Sequence, residues 1–111
     1  MISEAEYETL AAPELKKLLE AVDTIDSDQL EAELESDILT LEFSDDTRYV
    51  INSHRAARQI WMAAERLAWH FDWDVTRHAW VAKKTGDELW QAVGTVIGNK
   101  LGQAVELIRS A

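Results

Sequence analysis

The chain contains no cysteine. That excludes disulfides, thiolate metal sites, ligation of an iron–sulfur cluster by this chain, and cysteine nucleophiles. Proline occurs once and glycine four times, and no glycine-rich phosphate loop or nucleophile elbow is present. No apolar run approaches the roughly 20 residues of a membrane span. The start, MISEAEYETL, has neither an apolar signal core nor an arginine-rich transit character. A soluble, cytoplasmic protein with no membrane role is therefore expected. Bases are scarce at first: residues 1–46 hold 15 of the 21 acids against only Lys16 and Lys17, a balance of −13. Residues 47–111 hold nine bases against six acids, a balance of +3. Such a field repels nucleic acid and attracts cations or a basic protein surface, so a nucleic-acid function is disfavoured.

What is present is enough for a core. The 111 residues are 47% hydrophobic and include five tryptophans, with no composition break; one domain over residues 1–111 is expected. Leu10, Leu15, Leu18, Leu19 and Val22 follow helical spacing, which predicts a helix over much of residues 4–24. Pro13 either kinks it or marks its first well-formed turn. Leu30, Ala32 and Leu34 then alternate with Glu31, Glu33 and Glu35, and Leu39, Leu41 and Phe43 with Thr40 and Glu42. Ser36–Asp37 and Ser44–Asp45–Asp46 supply turns into a third strand over 47–53. Further strands are predicted over 59–64, 68–73 and 79–83. Thr85–Gly86–Asp87–Glu88 reads as a helix start, followed by the stripe Leu89, Val93, Ile97 (or Val96) and Leu101.

Gly94, Gly98 and Gly102 recur beside that stripe. Each interior glycine costs about 1 kcal/mol relative to alanine, so close approach to the sheet or first helix is expected, with Gly102 as the C-cap. Val105, Leu107 and Ile108 in the tail 103–111 imply that part of it packs back. The order of helix, five or six strands, helix predicts an α+β fold, with two terminal helices on one face of an antiparallel sheet.

The other sheet face is left open. Strand alternation points Ile60, Met62 and Ala64 to the core, and Asn52, Gln59 and Trp61 the other way. A large indole beside two amides on an open face suggests partner contact; a covering loop, or the opposite register with Trp61 in the core, is the alternative. Glu20 and Asp23 share a helix face, Asp26 and Asp28 follow, and Glu31 and Glu33 project from one side of the next strand. Six carboxylates in one band suit hard cations such as iron, Mn²⁺, Ca²⁺ or Mg²⁺, held weakly without a closed cage. A solvated face that blocks edge pairing is the competing explanation. His54, His70 and His78 show no metal-ligand spacing and read as isolated. Acid pairs in a chain this acidic carry no specific catalytic signal, so no enzyme activity is expected.

With this order of elements, residues from about Glu4 to Gly102 resemble the frataxin/CyaY family, most closely its bacterial branch. The segments that carry the resemblance are ILTLEF (38–43), YVIN (49–52), QIWM (59–62), WHFD (69–72), WV (80–81) and TGDELW (85–90). The resemblance implies an α–β sandwich and a role in iron–sulfur cluster assembly. Weak iron binding would occur on the acidic ridge, and the protein would dock on the cysteine desulfurase and scaffold proteins as a monomeric regulator. Carried over by position, Glu20, Asp23, Asp26, Glu31 and Glu33 fall on that ridge, with Asp28 in the connection. Asn52, Gln59 and Trp61 fall on the exposed sheet surface associated with partner contact. The run 64–68, AERLA, departs from the glycine-containing loop usual after QIW. An acidic adaptor that binds a basic partner without metal, and a ferroxidase-like storage enzyme, are the competing functions.

Overall fold

Short polar corners set the path of this chain. The computed structural model describes residues 2–109. Helix α1 (Glu4–Val22) opens with a capping box: Ser3 Oγ accepts from the Glu6 amide and Glu6 Oε1 accepts from the Ser3 amide, both at 3.1 Å. These bonds satisfy two backbone donors that the first turn leaves over. The helix continues through Pro13. Pro13 therefore does not mark the first turn, and its position explains why the helix tolerates it. Pro13 sits on the exposed side, as does Thr9, whose carbonyl loses its helical donor. Water can take that place.

Six strands follow in a meander: β1 (Leu30–Glu35), β2 (Ile38–Phe43), β3 (Arg48–His54), β4 (Gln59–Ala64), β5 (Leu67–Asp74) and β6 (Ala79–Ala82). Each pairs antiparallel with the next, so spatial order equals sequence order. Ser36 and Asp37 adopt φ of 50° and 64°, the left-handed pair that a tight two-residue hairpin needs. The departure at 64–68 folds as another such corner: Ala64 pairs with Leu67, and Glu65 takes φ 55° in place of a glycine. Helix α2 (Leu89–Leu101) starts at the N-cap Glu88, whose carboxylate accepts from the amides of Trp90 and Gln91. It ends at Gly102 in the left-handed conformation, φ 71°, as expected of the C-cap.

Both helices cover one sheet face. Leu15, Leu18, Leu89, Val93 and Ile97 are buried with Leu39, Leu41, Ile51, Ile60, Met62, Phe71 and Trp80. The glycine expectation needs correction. A Cβ on Gly98 would lie 2.7 Å from the Gln103 carbonyl oxygen, and one on Gly94 3.1 Å from that of Val105. The close approach is to the chain's own tail, not to the sheet or first helix. That tail lays Val105 and Leu107 against the core, while Ile108 stays exposed; its last two residues lie outside the described range. Arg109 pairs with the buried Glu14 of α1 and stacks over the Trp90 ring at 4.9 Å, and Trp90 Nε1 donates to the same carboxylate at 2.5 Å. At the other end, Lys100 Nζ holds Asp45 at 2.7 Å, tying α2 to the β2–β3 turn. That hydrogen bond keeps the Asp45 carboxyl well below the usual carboxylate range and lifts the Lys100 ammonium above its ordinary value.

Candidate functional site

Two surfaces carry the candidate residues. On the open sheet face, register places Asn52 opposite Trp61 and Trp61 opposite His70, while His54, Gln59 and Asp72 form the adjoining row. As expected from alternation, Ile60, Met62 and Ala64 are buried, and Asn52, Gln59 and Trp61 face out, half-buried. The indole is neither covered by a loop nor in the core. It lies between two imidazoles: His54 stacks at 3.8 Å and 16°, His70 at 4.3 Å and 17°. Trp61 Nε1 donates to Gln59 Oε1 at 2.7 Å, and Gln59 Nε2 donates to both Asp72 oxygens at 3.2 Å. A turn of 3₁₀ helix, Arg55–Ala57, holds His54 through the Ala57 amide, which donates to Nδ1 at 3.3 Å.

Two of the histidines are therefore not isolated. His54, His70 and Asp72 belong to the Trp61 platform and were missed because spacing along the chain does not reveal cross-strand neighbours. The signal was available in the corner: a two-residue turn at Glu65–Arg66 pairs Ala64 with Leu67 and so sets Trp61 opposite His70. With both indole faces stacked, what this platform presents to a partner is an indole edge rimmed by imidazole, amide and carboxylate. Such an arrangement can anchor a docked surface. It brings together no nucleophile and base.

The second surface is acidic. Glu20 is exposed on α1, and Asp23 is its C-cap. The last turn of α1 has no basic residue, so these acids stand at the negative end of the helix dipole, the unfavourable end for them. Asp26 and Asp28 are exposed in the connection, and Glu31 and Glu33 on β1. Asp23, Glu31, Glu33 and Glu42 line one groove of about 650 Å³. Asp28 joins Glu31, Glu42 and Asp46 in a neighbouring depression, whereas Glu20 and Asp26 line neither. Among the described residues, none of the six predicted ridge acids has an ion-pair partner. Equally, no group of three histidines or acids among these residues converges as a metal site. The donors suit a hard cation that keeps much of its water, held by charge and a few oxygens. They do not suit a caged ion.

Two helices on one face of a six-stranded antiparallel meander define a frataxin-like α–β sandwich. The frataxin from Psychromonas ingrahamii has this fold, with a TM-score of 0.85 over 97% of this chain and all of that one, at 22% identity. Residues 1–103 match the frataxin-like domain family. An iron–sulfur cluster assembly protein CyaY of Thioalkalivibrio sulfidiphilus is 33% identical over 84% of this chain and 88% of its own. Its namesake in Dechloromonas aromatica is 30% identical over 96% and 99%. The chain belongs to the frataxin/CyaY family, in its bacterial CyaY-like branch. Among the described residues, no helix is long and apolar enough to cross a membrane.

Proposed function

We propose that this protein takes part in iron–sulfur cluster assembly as a cytoplasmic, monomeric regulator without catalysis of its own, binding iron weakly and docking on a cysteine desulfurase and its scaffold protein. The observation that carries this reading is the ridge. Six acids are held, with no ion-pair partner among the described residues, around a helix end that already carries negative partial charge. Like charges so arranged cost stability, and a cation or a basic surface relieves that cost. Names borne by the relatives supply the process. Glu20, Asp23, Asp26, Asp28, Glu31 and Glu33 would hold iron loosely as cargo. Asn52, Gln59 and Trp61 would form a second contact, with the indole as its anchor.

A second reading has its own observation. Because no three acids converge among the described residues, the ridge can serve as a protein-docking surface that needs no metal. Anaerobic titration with Fe²⁺ followed by residue-resolved NMR, with Mg²⁺ as the control, separates the two. Broadening confined to residues 20–33, at concentrations where Mg²⁺ has little effect, is expected. If both ions act alike, or neither perturbs the ridge, iron binding falls and the metal-free adaptor stands.

A further inference from the structure

The two edges of the sheet are finished differently. Beyond β6 the chain returns on itself: the Ala82 amide donates to the Asp87 carbonyl at 2.8 Å and Val81 bridges to Glu88. Among the described residues, β1 has no strand on its outer side. Register decides which of its backbone groups look outward. The Ser44 amide donates to the Gln29 carbonyl at 2.9 Å, and the hairpin closes on the Glu35–Ile38 pair. Bonded and non-bonded pairs alternate along an antiparallel ladder, so Glu31, Glu33 and Glu35 bond to β2. The amides and carbonyls of Leu30, Ala32 and Leu34 therefore face away from the sheet, with no backbone partner outside the ladder among the described residues.

Among the described residues, no backbone hydrogen bond closes this edge. The groove of about 650 Å³ runs beside it, with Val22 and Ile25 on the helix side and Glu31 and Glu33 on the other. Leu30, Ala32 and Leu34 are only half-buried, whereas Leu39, Leu41 and Phe43 opposite them are at most 3% exposed. The edge thus combines unused backbone donors and acceptors, an unfinished apolar strip and a row of carboxylates.

We propose that the β1 edge accepts an extended, basic segment of a partner protein as a seventh strand, with lysine or arginine alternating with small apolar residues. This rests on the docking reading above and specifies its mode. Backbone bonds to Leu30, Ala32 and Leu34 supply affinity, and alternate side chains supply selection. Residues opposite Glu31 and Glu33 share their face and meet the carboxylates; those in between turn toward Val22 and Ile25. A second copy of this chain is a poor occupant, because β1 against β1 sets rows of glutamate side by side, and like charges on neighbouring strands repel. The same glutamates that deter self-pairing select a basic strand.

The test uses a short peptide alternating lysine with valine and threonine, and a version N-methylated on the amides that would face β1. Binding of the first should slow hydrogen exchange at the Leu30, Ala32 and Leu34 amides while leaving Glu31 and Glu33 unchanged. The methylated peptide should bind about tenfold more weakly or worse. Ala32→Pro keeps every glutamate and the β1–β2 ladder, since the lost N–H faces outward, and should weaken the first peptide selectively. Glu31→Gln with Glu33→Gln should weaken both peptides. Equal binding of the two peptides, or no protection at the three amides, overturns strand addition and leaves docking by charge alone. Failure of both peptides to bind at low salt removes the docking reading as well. Protection that grows with protein concentration and no peptide assigns the edge to a second copy instead, against the proposal.

Discussion

The Trp61 indole lies flat between two imidazoles on the open sheet face, whereas Trp80 is fully buried, edge-on to Tyr7 at 5.9 Å and to Trp73 at 5.6 Å. The consequences of truncation should differ accordingly. Trp80→Ala removes the largest fully buried side chain and leaves a cavity, at a cost of about 3–5 kcal/mol. Trp61→Ala leaves the core untouched and loses two stacked pairs and one hydrogen bond, at a cost of roughly 1–2 kcal/mol. Urea unfolding of the two variants measures the difference; equal losses would mean that the platform supports the fold as much as the core does. The direction of Trp61 was legible in the sequence, because Ile60 and Met62 on either side demand the core. The flanking imidazoles were not. His54 and His70 lie far from Trp61 along the chain, and only the register set by the corners brings them to it.

Among the elements, α2 shows how a correct pattern can carry an incorrect cause. The four-residue glycine spacing marks a helix face that something approaches closely, but spacing does not name the neighbour. The apolar residues Val105 and Leu107 were a hint, and the tail they belong to fills that space. Strand limits were read to within a residue or so, because period-two alternation and turn-forming corners coincide there. The course of α1 through Pro13 was harder to read, since it depends on which helix face is wet. The tail contact makes a signed prediction. In an exposed helix Gly98→Ala should stabilise by about 1 kcal/mol. Here the new Cβ meets a backbone oxygen at 2.7 Å, and the tail with its Arg109–Glu14 pair must shift. A net loss of about 1–3 kcal/mol is expected. In a chain ending at Gly102 the same substitution should stabilise, and thermal unfolding of the four proteins closes the cycle. Gly94→Ala, at 3.1 Å from its nearest neighbour, should cost less than Gly98→Ala.

At the scale of the molecule, the net charge of −10 is the resultant of −13 in residues 1–46 and +3 in the rest. The fold brings some of these charges together but leaves the ridge out. Lys100 goes to Asp45, Arg48 to Glu42 and Arg55 to Glu8, while Glu20, Asp23, Asp26, Asp28, Glu31 and Glu33 receive no base among the described residues. A surface selected only for stability would spread the bases; one that must meet a cation or a basic partner cannot. If that is the reason, the ridge is under charge strain and relieving it should stabilise the free protein. Glu33 is the site to test, because it is exposed on β1 and its cross-strand neighbour is the uncharged Thr40. Glu33→Lys should raise the urea midpoint at low salt. The gain should shrink as ionic strength rises, because the screening length falls from about 30 Å at 0.01 M to about 8 Å at 0.15 M. The same variant should bind a basic peptide more weakly. Stability and docking would then move in opposite directions from one substitution, the pattern expected where a strained surface is kept for function. A variant that binds less but gains no stability at low salt would show that the ridge acids recognise a partner without straining the fold.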